Sequence, residues 1–504
     1  MEAFLGLIYG FEVAFISHNL FACFFGVMVG TLVGILPGIG PIGAIAILLP
    51  STFALAPTTA IIMLAGIYYG SMYGGSTTTI LLNVPGEAAS VVTAIDGYQM
   101  ARKGRAGAAL AVSAVGSFVA GTLGVVALMF FAPLLADMAL KFGPPEYFSL
   151  TLLGLIFLSQ LSRGPAIKSF LMVGLGLILG TVGMDPISGL SRFTFGRLEL
   201  CQGVQLVPVA MGLYGIAEVF MIAERITGIP RMTKVMFREI FPSLGEWRRA
   251  FPSMLRGSAL GFLFGLIPGP AAIISTFASY KLEKKISNHP EEFGKGAIEG
   301  VAGPESANNS ATAGAMVPLL ALGIPFAPAT AMLMGALIIH GVQPGPLFMD
   351  QQPEIFWGVV ASMYIGNSIL LILNLPLVGI FASILRLPQY LLMSFILLLC
   401  LVGTYSINNS FLDIYMLIGM GVVGYIFRKL KFDMAPLILA LVLGPMLEKT
   451  FRQSLFMAHG DFWLLFSRPI TGFFLLVGLV GIILPLISHL AKSIKYLHQK
   501  KARA

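Results

Sequence analysis

Gly30-Thr-Leu-Val-Gly34-Ile-Leu-Pro37-Gly38 returns as Gly261-Phe-Leu-Phe-Gly265-Leu-Ile-Pro268-Gly269, a shift of 268 − 37 = 231 residues in a chain of 504. Both copies lie in apolar stretches otherwise long enough to cross a bilayer. Proline removes a backbone donor and glycine relaxes the backbone, so each copy is expected to interrupt its helix at the Pro-Gly pair. Matched interruptions in two halves of a membrane protein point to a binding site shared by the halves.

Composition sets the class. The chain is 57% hydrophobic and 11% charged, with a mean hydropathy of +0.89, whereas soluble domains carry about 25% charged residues. Apolar stretches recur at 107–135, 204–224, 355–385 and 470–489. The expected fold is an all-α polytopic membrane protein with about 11–12 membrane segments. A β-barrel would read as short alternating strands, which are missing. The net charge of +8 sits in short connectors, the pattern of cytoplasmic loops rather than of a nucleic-acid partner. Cys23, Cys201 and Cys400 are scattered, and no histidine from His18 to His498 has ligand spacing, so neither a disulfide framework nor a metal site is expected. No Lys or Arg precedes Arg102. The N-terminus is therefore expected to be retained, and the early loops to lie outside the cytoplasm.

Further correspondences suggest an internal duplication, roughly 20–225 against 250–450. Gly75-Ser-Thr-Thr-Thr79 falls opposite Ser306-Ala-Asn-Asn-Ser310 at the same shift, 306 − 75 = 231. Asn83-Val-Pro85-Gly86 resembles Gly323-Ile-Pro325-Phe326 after a longer stretch, and Gly215–Glu218 resembles Gly444–Glu448 more loosely. Equivalent loops carry opposite charge signals. The loop 51–59 is uncharged where its counterpart holds Lys281, Lys284, Lys285 and Lys295, and Arg102, Lys103 and Arg105 face a loop, 341–354, with Asp350 and Glu354 alone. That is the expectation for inverted repeats. Segments 26–50 and 257–280 then read as hairpins entering from opposite faces, either re-entrant or as pairs of short spanning helices. The expected order is 1–19, an interfacial or first membrane helix; 20–225, repeat 1; 226–256, a basic cytoplasmic linker with an interfacial helix at 237–252; 257–450, repeat 2; 451–491, a final membrane helix; and 492–504, a basic cytoplasmic tail.

Two constellations could carry chemistry. Gly38-x-Gly40-x-x-Gly43 matches a dinucleotide fingerprint formally, but it lacks the βαβ context that motif requires. Small-residue helix packing would explain the glycines but not a central proline in both copies. At such a break, exposed N–H groups hold a carboxylate and freed carbonyls a cation. The second constellation is Ser71, Ser76, Thr77, Thr78, Thr79 and Asn83, with Ser306, Asn308, Asn309, Ser310 and Thr312. Hydroxyls and amides donate to carboxylate oxygens and offer oxygens to Na⁺. Pro37, Gly38, Gly40, Ser76, Thr77, Thr78, Asn83, Pro268, Gly269, Ser306, Asn308, Asn309 and Ser310 are thus substrate-binding candidates. Thr79, Glu305, Asn309 and Thr312 are cation-binding candidates. Glu305 reads as either a functional acid at membrane depth or a loop-end acid in water, because 299–304 is loop-like. Asp185, Glu218 and Glu448 are set aside as segment-end acids, and His340 as a structural residue at a helix end. No P-loop, His-Glu-x-x-His or Gly-x-Ser-x-Gly motif occurs, so no enzymatic centre and no cofactor beyond a coupling ion, Na⁺ or H⁺, is expected. An intramembrane enzyme or an ion channel is the alternative.

The run from Pro85-Gly-Glu through Asp96-Gly-Tyr98-Gln99 to Gly107, the Gly30–Pro41 segment with its echo at Gly261–Gly269, and Gly303-Pro-Glu-Ser-Ala-Asn-Asn309 resemble the large membrane subunit of tripartite tricarboxylate transporters, the TctA type. That resemblance covers almost the whole chain. It implies a bacterial inner-membrane secondary transporter working with a small membrane subunit (TctB type) and a periplasmic solute-binding protein (TctC type). Together they would import citrate or another carboxylate on an ion gradient. Asp96, Tyr98 and Gln99 are expected in a structural or gating loop near the cytoplasmic face.

Overall fold

The computed structural model describes residues 2–36, 39–161, 165–185, 187–224, 241–377 and 389–483. Among these the chain is helical apart from connecting segments and one antiparallel pair of two-residue strands, Gly183–Met184 and Ser191–Arg192. Five described helices are long and apolar enough to span: Ser17–Ile35, Ala106–Ala139, Leu206–Glu224, Pro353–Asn374 and Phe411–Lys429. The all-α membrane class follows. The expected stretch 355–385 is helical only as far as Asn374, and 470–489 is described as Pro469–Ile483. Residues 378–385 and 484–489 lie outside the described residues.

Two modules of like construction follow one another. In the first, α1 (Glu2–Ala14) precedes α2 (Ser17–Ile35), α3 (Gly40–Leu48), α4 (Pro57–Leu82), α5 (Val91–Arg102) and α6 (Ala106–Ala139). α1 has 13 residues, roughly 20 Å, short of the ~30 Å hydrocarbon core. After α7 (Pro144–Leu161), α8 (Ala166–Gly180) and α9 (Leu206–Glu224), the second module has α10 (Leu244–Gly265), α11 (Ala271–Ile286), α12 (Glu299–Leu322), α13 (Pro328–Ile339) and α14 (Pro353–Asn374).

Glycine columns hold each module together. A Cβ on Gly26, Gly30 or Gly34 would stand 2.3, 2.6 or 2.3 Å from the carbonyl oxygens of Met63, Ile67 and Ser71. One on Gly257, Gly261 or Gly265 would stand 2.2, 2.2 or 2.6 Å from those of Gly303, Ala307 and Ala311. No larger residue fits such an approach. Both numbers rise together in each series, so α2 runs parallel to α4 and α10 parallel to α12. The hairpin helices correspond at 261 − 30 = 231, as the sequence implies. Their partners correspond at 307 − 67 = 240, and Asn83 with Gly323 and Pro85 with Pro325 keep that larger offset. This corrects the expected pairing of the polar runs. Gly75–Thr79 falls opposite Ala315–Leu319, not opposite Ser306–Ser310, because nine extra residues precede α12.

The modules have opposite sense. Ser76 donates to Glu305, and Tyr69 and Tyr73 line one cavity with Asn309 and Thr312, so one number falls as the other rises and α4 runs antiparallel to α12. The first hairpin starts and finishes at one end, where Thr59 Oγ1 donates to Asn19 Oδ1 at 2.6 Å. Its return arm, Gly40–Thr52, measures roughly 20 Å and cannot cross the core, which fits the re-entrant reading. The second hairpin closes at the other end, with Arg256 Nη2 and Glu283 Oε2 2.6 Å apart.

At that second end the basic connectors gather. Lys103 Nζ donates to the Lys295 carbonyl at 2.6 Å, Arg105 pairs with Glu246, and Arg249 reaches Glu292 at 2.5 Å and Glu299 at 2.8 Å. The Arg249 guanidinium holds the Glu292 carboxyl below its ordinary range. At the first end Thr58 Oγ1 donates to Glu354 at 3.0 Å, and Thr52 lies 3.1 Å from His340 Nε2.

Three local expectations change. Residues 244–252 are not a separate interfacial helix but the opening turns of α10, begun by a capping box of Ser243 and Glu246; residues 237–240 lie outside the described residues. Asp96, Tyr98 and Gln99 stand on helix α5, not in a loop. Residues 299–304 form the first turns of α12, so Glu305 is no loop-end acid.

The chain resolves into two compact units, 1–140 with 205–430 and 141–204 with 431–504. The first contains both modules, with α9, α15 (Gln389–Asn408) and α16 (Phe411–Lys429); the second has α7, α8, α17 (Ala435–Met457) and α18 (Pro469–Ile483). Glu218 pairs with Arg428 in the first unit, and Glu448 with Arg192 at 2.6 Å in the second. Each pair joins the two halves of the sequence.

Cysteines replacing the exposed Lys103 and Lys284, in a background lacking native thiols, should react with an impermeant reagent from the same side of the membrane, and one at Ser51 from the opposite side. Labelling of positions 103 and 284 from different sides would contradict the opposed hairpins.

Candidate functional site

The polar runs survive as helix because their hydroxyls fold back onto the helix carbonyls. Ser71 donates to Tyr68 O at 2.8 Å, Thr79 to Gly75 O at 2.8 Å and Thr312 to Asn308 O at 3.2 Å. Both helices end on a left-handed residue before an X-Pro step: Asn83 (φ 58) before Val84-Pro85, and Gly323 (φ 66) before Ile324-Pro325. Asparagine and glycine are the residues that tolerate that conformation, and the following proline prevents the helix from continuing.

Each hairpin tip meets the break of its own module. Gly269 (φ 135) donates its N–H to Phe326 O at 2.9 Å. In the first module Thr78 Oγ1 donates to Ile35 O at 3.2 Å, and a Cβ on Gly86 would lie 2.2 Å from Gly34 O. Pro37 and Gly38 fall outside the described residues. Gly40 (φ 61) opens α3 and a Cβ there would meet open space, while Pro268 stands in the tip between α10 and α11. The return arms α3 and α11 thus begin at the tips and turn their positive helix ends there; in α11 the Ala271 N–H donates to Gly269 O at 2.9 Å, and those of Ile273 and Ile274 to Pro270 O.

Where α4 and α12 cross, side chains of both modules interlock. Glu305 is fully buried. Its Oε2 accepts from Ser76 and its Oε1 from Thr93, and the buried Ser113 hydroxyl lies beside it. One turn on, Asn309 Nδ2 donates to Ser117 Oγ at 2.7 Å and Ser306 Oγ to Gly116 O at 3.0 Å. Asn308 Nδ2 donates to Glu87 Oε1 at 2.8 Å, and the Ala89 N–H donates to Glu87 Oε2 at 2.9 Å. Asn308 Oδ1 and Ser310 Oγ are buried without a hydrogen-bond partner. Thr77 is buried too.

The four cation candidates do not converge on one point. Thr79 Oγ1 donates to Ser90 Oγ at 2.8 Å, Glu305 holds its own cluster, and Asn309 and Thr312 line a separate cavity of about 20 Å³ with Tyr69, Tyr73 and Asn367. That volume suits a single water. The Tyr73 hydroxyl donates to Asn367 Oδ1, and Asn367 Nδ2 donates to Phe118 O at 2.8 Å. Among the described residues no group of three or more His, Cys, Asp or Glu could hold a metal.

Glu87, Thr93, Ser113, Ser117, Tyr73 and Asn367 escaped the sequence reading. Glu87 follows the Pro85-Gly86 break, and Asn367 is an amide inside an apolar span, so both carried a signal. The serines of α6 carried none, since isolated hydroxyls in an apolar helix are commonplace. Asp96 anchors the approach to α12. Fully buried, it accepts from the N–H groups of Gly294, Gly296 and Ala297 at 2.7–2.9 Å and from the Tyr280 hydroxyl at 2.8 Å.

A family model described as Tripartite tricarboxylate transporter TctA family matches residues 20–439. An Agrobacterium vitis protein described as an uncharacterized 52.8 kDa protein in the TAR-I ttuC' 3' region is 48% identical over 491 residues, 97% of each chain. A second from the same organism, in the TAR-II ttuC' 3' region, is 46% identical over 227 residues, 45% of this chain and 94% of the relative. No solved structure matches.

Replacing Asp96 with alanine would leave three backbone N–H groups without their acceptor, and the buried one, Ala297, would cost ~1–3 kcal/mol. Thermal unfolding of the purified protein should fall clearly for Asp96→Ala and less for Asp96→Asn. Equal melting of Asp96→Ala and wild type would show that the anchor contributes nothing.

Proposed function

The chain belongs to the tripartite tricarboxylate transporter TctA family, the large membrane subunit of such systems, and on that premise we propose that it imports a tricarboxylate or other carboxylate as a secondary transporter of the bacterial inner membrane. A periplasmic binding protein of the TctC type delivers the substrate, a TctB-type subunit completes the membrane assembly, and an ion gradient supplies the driving force. Nucleic acid has no part, and the carrier chemistry needs no cofactor beyond the coupling ion.

In this reading the two modules are inverted repeats of one ancestral unit. The observation that carries it is the antiparallel crossing of α4 and α12, each parallel to a hairpin helix and each ending where a hairpin tip is tied to a proline break. The substrate carboxylates sit against Pro37, Gly38 and Gly40, and against Pro268 and Gly269, where the return-arm N-termini favour negative charge. Neutral donors complete the site: Thr77, Thr78 and Asn83 from the first module, and Ser306, Asn308, Asn309 and Ser310 from the second. No arginine clamp is needed, because oriented N–H groups hold a carboxylate and release it again without the desolvation cost of a buried cation.

Gly269 has a φ that side chains rarely adopt, and its N–H is engaged with Phe326. Gly269→Val and the pair Asn308→Ala/Asn309→Ala should each lower carboxylate uptake by at least about tenfold, the equivalent of ~1.4 kcal/mol, at unchanged membrane abundance. The assay is labelled-carboxylate uptake in a strain deleted for the chain and carrying its TctB- and TctC-type partners. Wild-type uptake by both variants would remove the substrate site from the hairpin tips and polar helices.

A further inference from the structure

We propose that Glu305, with the hydroxyls of Ser76, Thr93 and Ser113, forms the seat of one monovalent positive charge, a sodium ion or a proton, bound between the two modules. The proposal rests on the carrier reading only for its consequence in transport. Its own ground is the geometry at the α4–α12 crossing.

Glu305 is completely buried, and the side chains that bond its carboxylate are hydroxyls. A carboxylate in that setting needs a compensating positive charge, or it must exist as the neutral acid. The charged side chains on elements packed against α12 are exposed, as Arg102, Asp137, Arg248, Lys281, Lys284 and Lys285 are, or engaged elsewhere. Arg249 is bound to Glu292 and Glu299, Arg256 to Glu283, and Arg105, at the head of α6, to Glu246. On α5, Asp96 is bound to the 294–297 backbone and to Tyr280 of α11. Glu87, the nearest other acid, accepts from Asn308 and Ala89 and repels a second negative charge. From α4 the neighbouring titratable groups are the phenols of Tyr68, Tyr69 and Tyr73. Thus no described basic side chain answers Glu305.

The donor set also limits what answers it. One carboxylate and three neutral hydroxyl oxygens balance a single charge, whereas calcium takes 6–8 oxygens, several of them anionic. Serine and threonine hydroxyls serve either occupant: they turn lone pairs toward sodium, or stay as hydrogen-bond partners of a protonated carboxyl. Position gives the site its use. Glu305 belongs to the second module, while Ser76, Thr93 and Ser113 belong to the first. Occupancy therefore holds the modules together, and vacancy leaves a bare carboxylate that favours their separation. Ser76 moves accordingly from the substrate set to the ion site, and Thr79, bonded to Ser90, leaves the ion set.

The test is thermal unfolding of the full-length purified protein in KCl and in NaCl of equal ionic strength, across neutral to alkaline pH. If sodium is the occupant, wild type melts several degrees higher in NaCl than in KCl. If a proton is, wild type in KCl melts lower as pH rises, with no preference for sodium. Glu305→Gln keeps the size and hydrogen bonding of the side chain and should abolish whichever response wild type shows. Ser76→Ala/Thr93→Val should remove a sodium response but leave a proton response, since only sodium needs the hydroxyl oxygens as ligands. Should Glu305→Gln fail to fold, Glu305→Asp withdraws the carboxylate and must weaken the response. The proposal is overturned if wild type answers neither ion, or if its response survives unchanged in the folded Glu305 variant. Melting requires no substrate, so this outcome is independent of the uptake assay that tests the carboxylate reading.

Discussion

In hydrocarbon, a backbone or side-chain polar group has no water to turn to and must find its partner inside the protein. Everything distinctive about this chain follows from how it meets that demand while keeping its helices interrupted. Each hairpin helix packs against a polar helix at glycine columns, so that backbone nearly touches backbone. That closeness lets the end of one helix answer the break of another. Gly269 donates to Phe326, and Thr78 donates to Ile35. The interruptions are therefore held by these hydrogen bonds within each module.

The same demand explains the crossing of α4 and α12. Two runs rich in hydroxyls and amides would each be costly against lipid. Set antiparallel against one another, and against the serines of α6, they satisfy most of their groups mutually. The exceptions, Asn308 Oδ1 and Ser310 Oγ, lie among the residues assigned to the substrate. Charge is handled by segregation. Arginines pair with glutamates at the basic end, while Glu305 and Glu87 at the crossing contact hydroxyl and amide donors. A buried acid answered by donors alone is poised to take up a small cation.

Much of this was legible in the residues. The Pro-Gly echo at 231 residues located both helix interruptions, because proline and glycine limit the backbone wherever they stand. The polar runs were also visible. Their alignment was not, since the glycines that define it touch carbonyls more than thirty residues away, and an insertion ahead of α12 moved the true offset to 240. The helix at 91–102 was hidden by its glycine and polar residues, and the start of α12 by Gly300, Gly303 and Pro304, where tertiary packing overrides weak local propensity.

By itself, then, the sequence determined that the chain is an all-α membrane protein and where its helices must break. Hydropathy, charge bias and the backbone rules of proline and glycine act locally. Which polar side chains would share a site was decided only by the tertiary structure. Glu305 finds Ser76, 229 residues away, because two helices of opposite sense cross at that level. The height of the crossing is set by glycine-to-carbonyl contacts that exist only once the helices have packed.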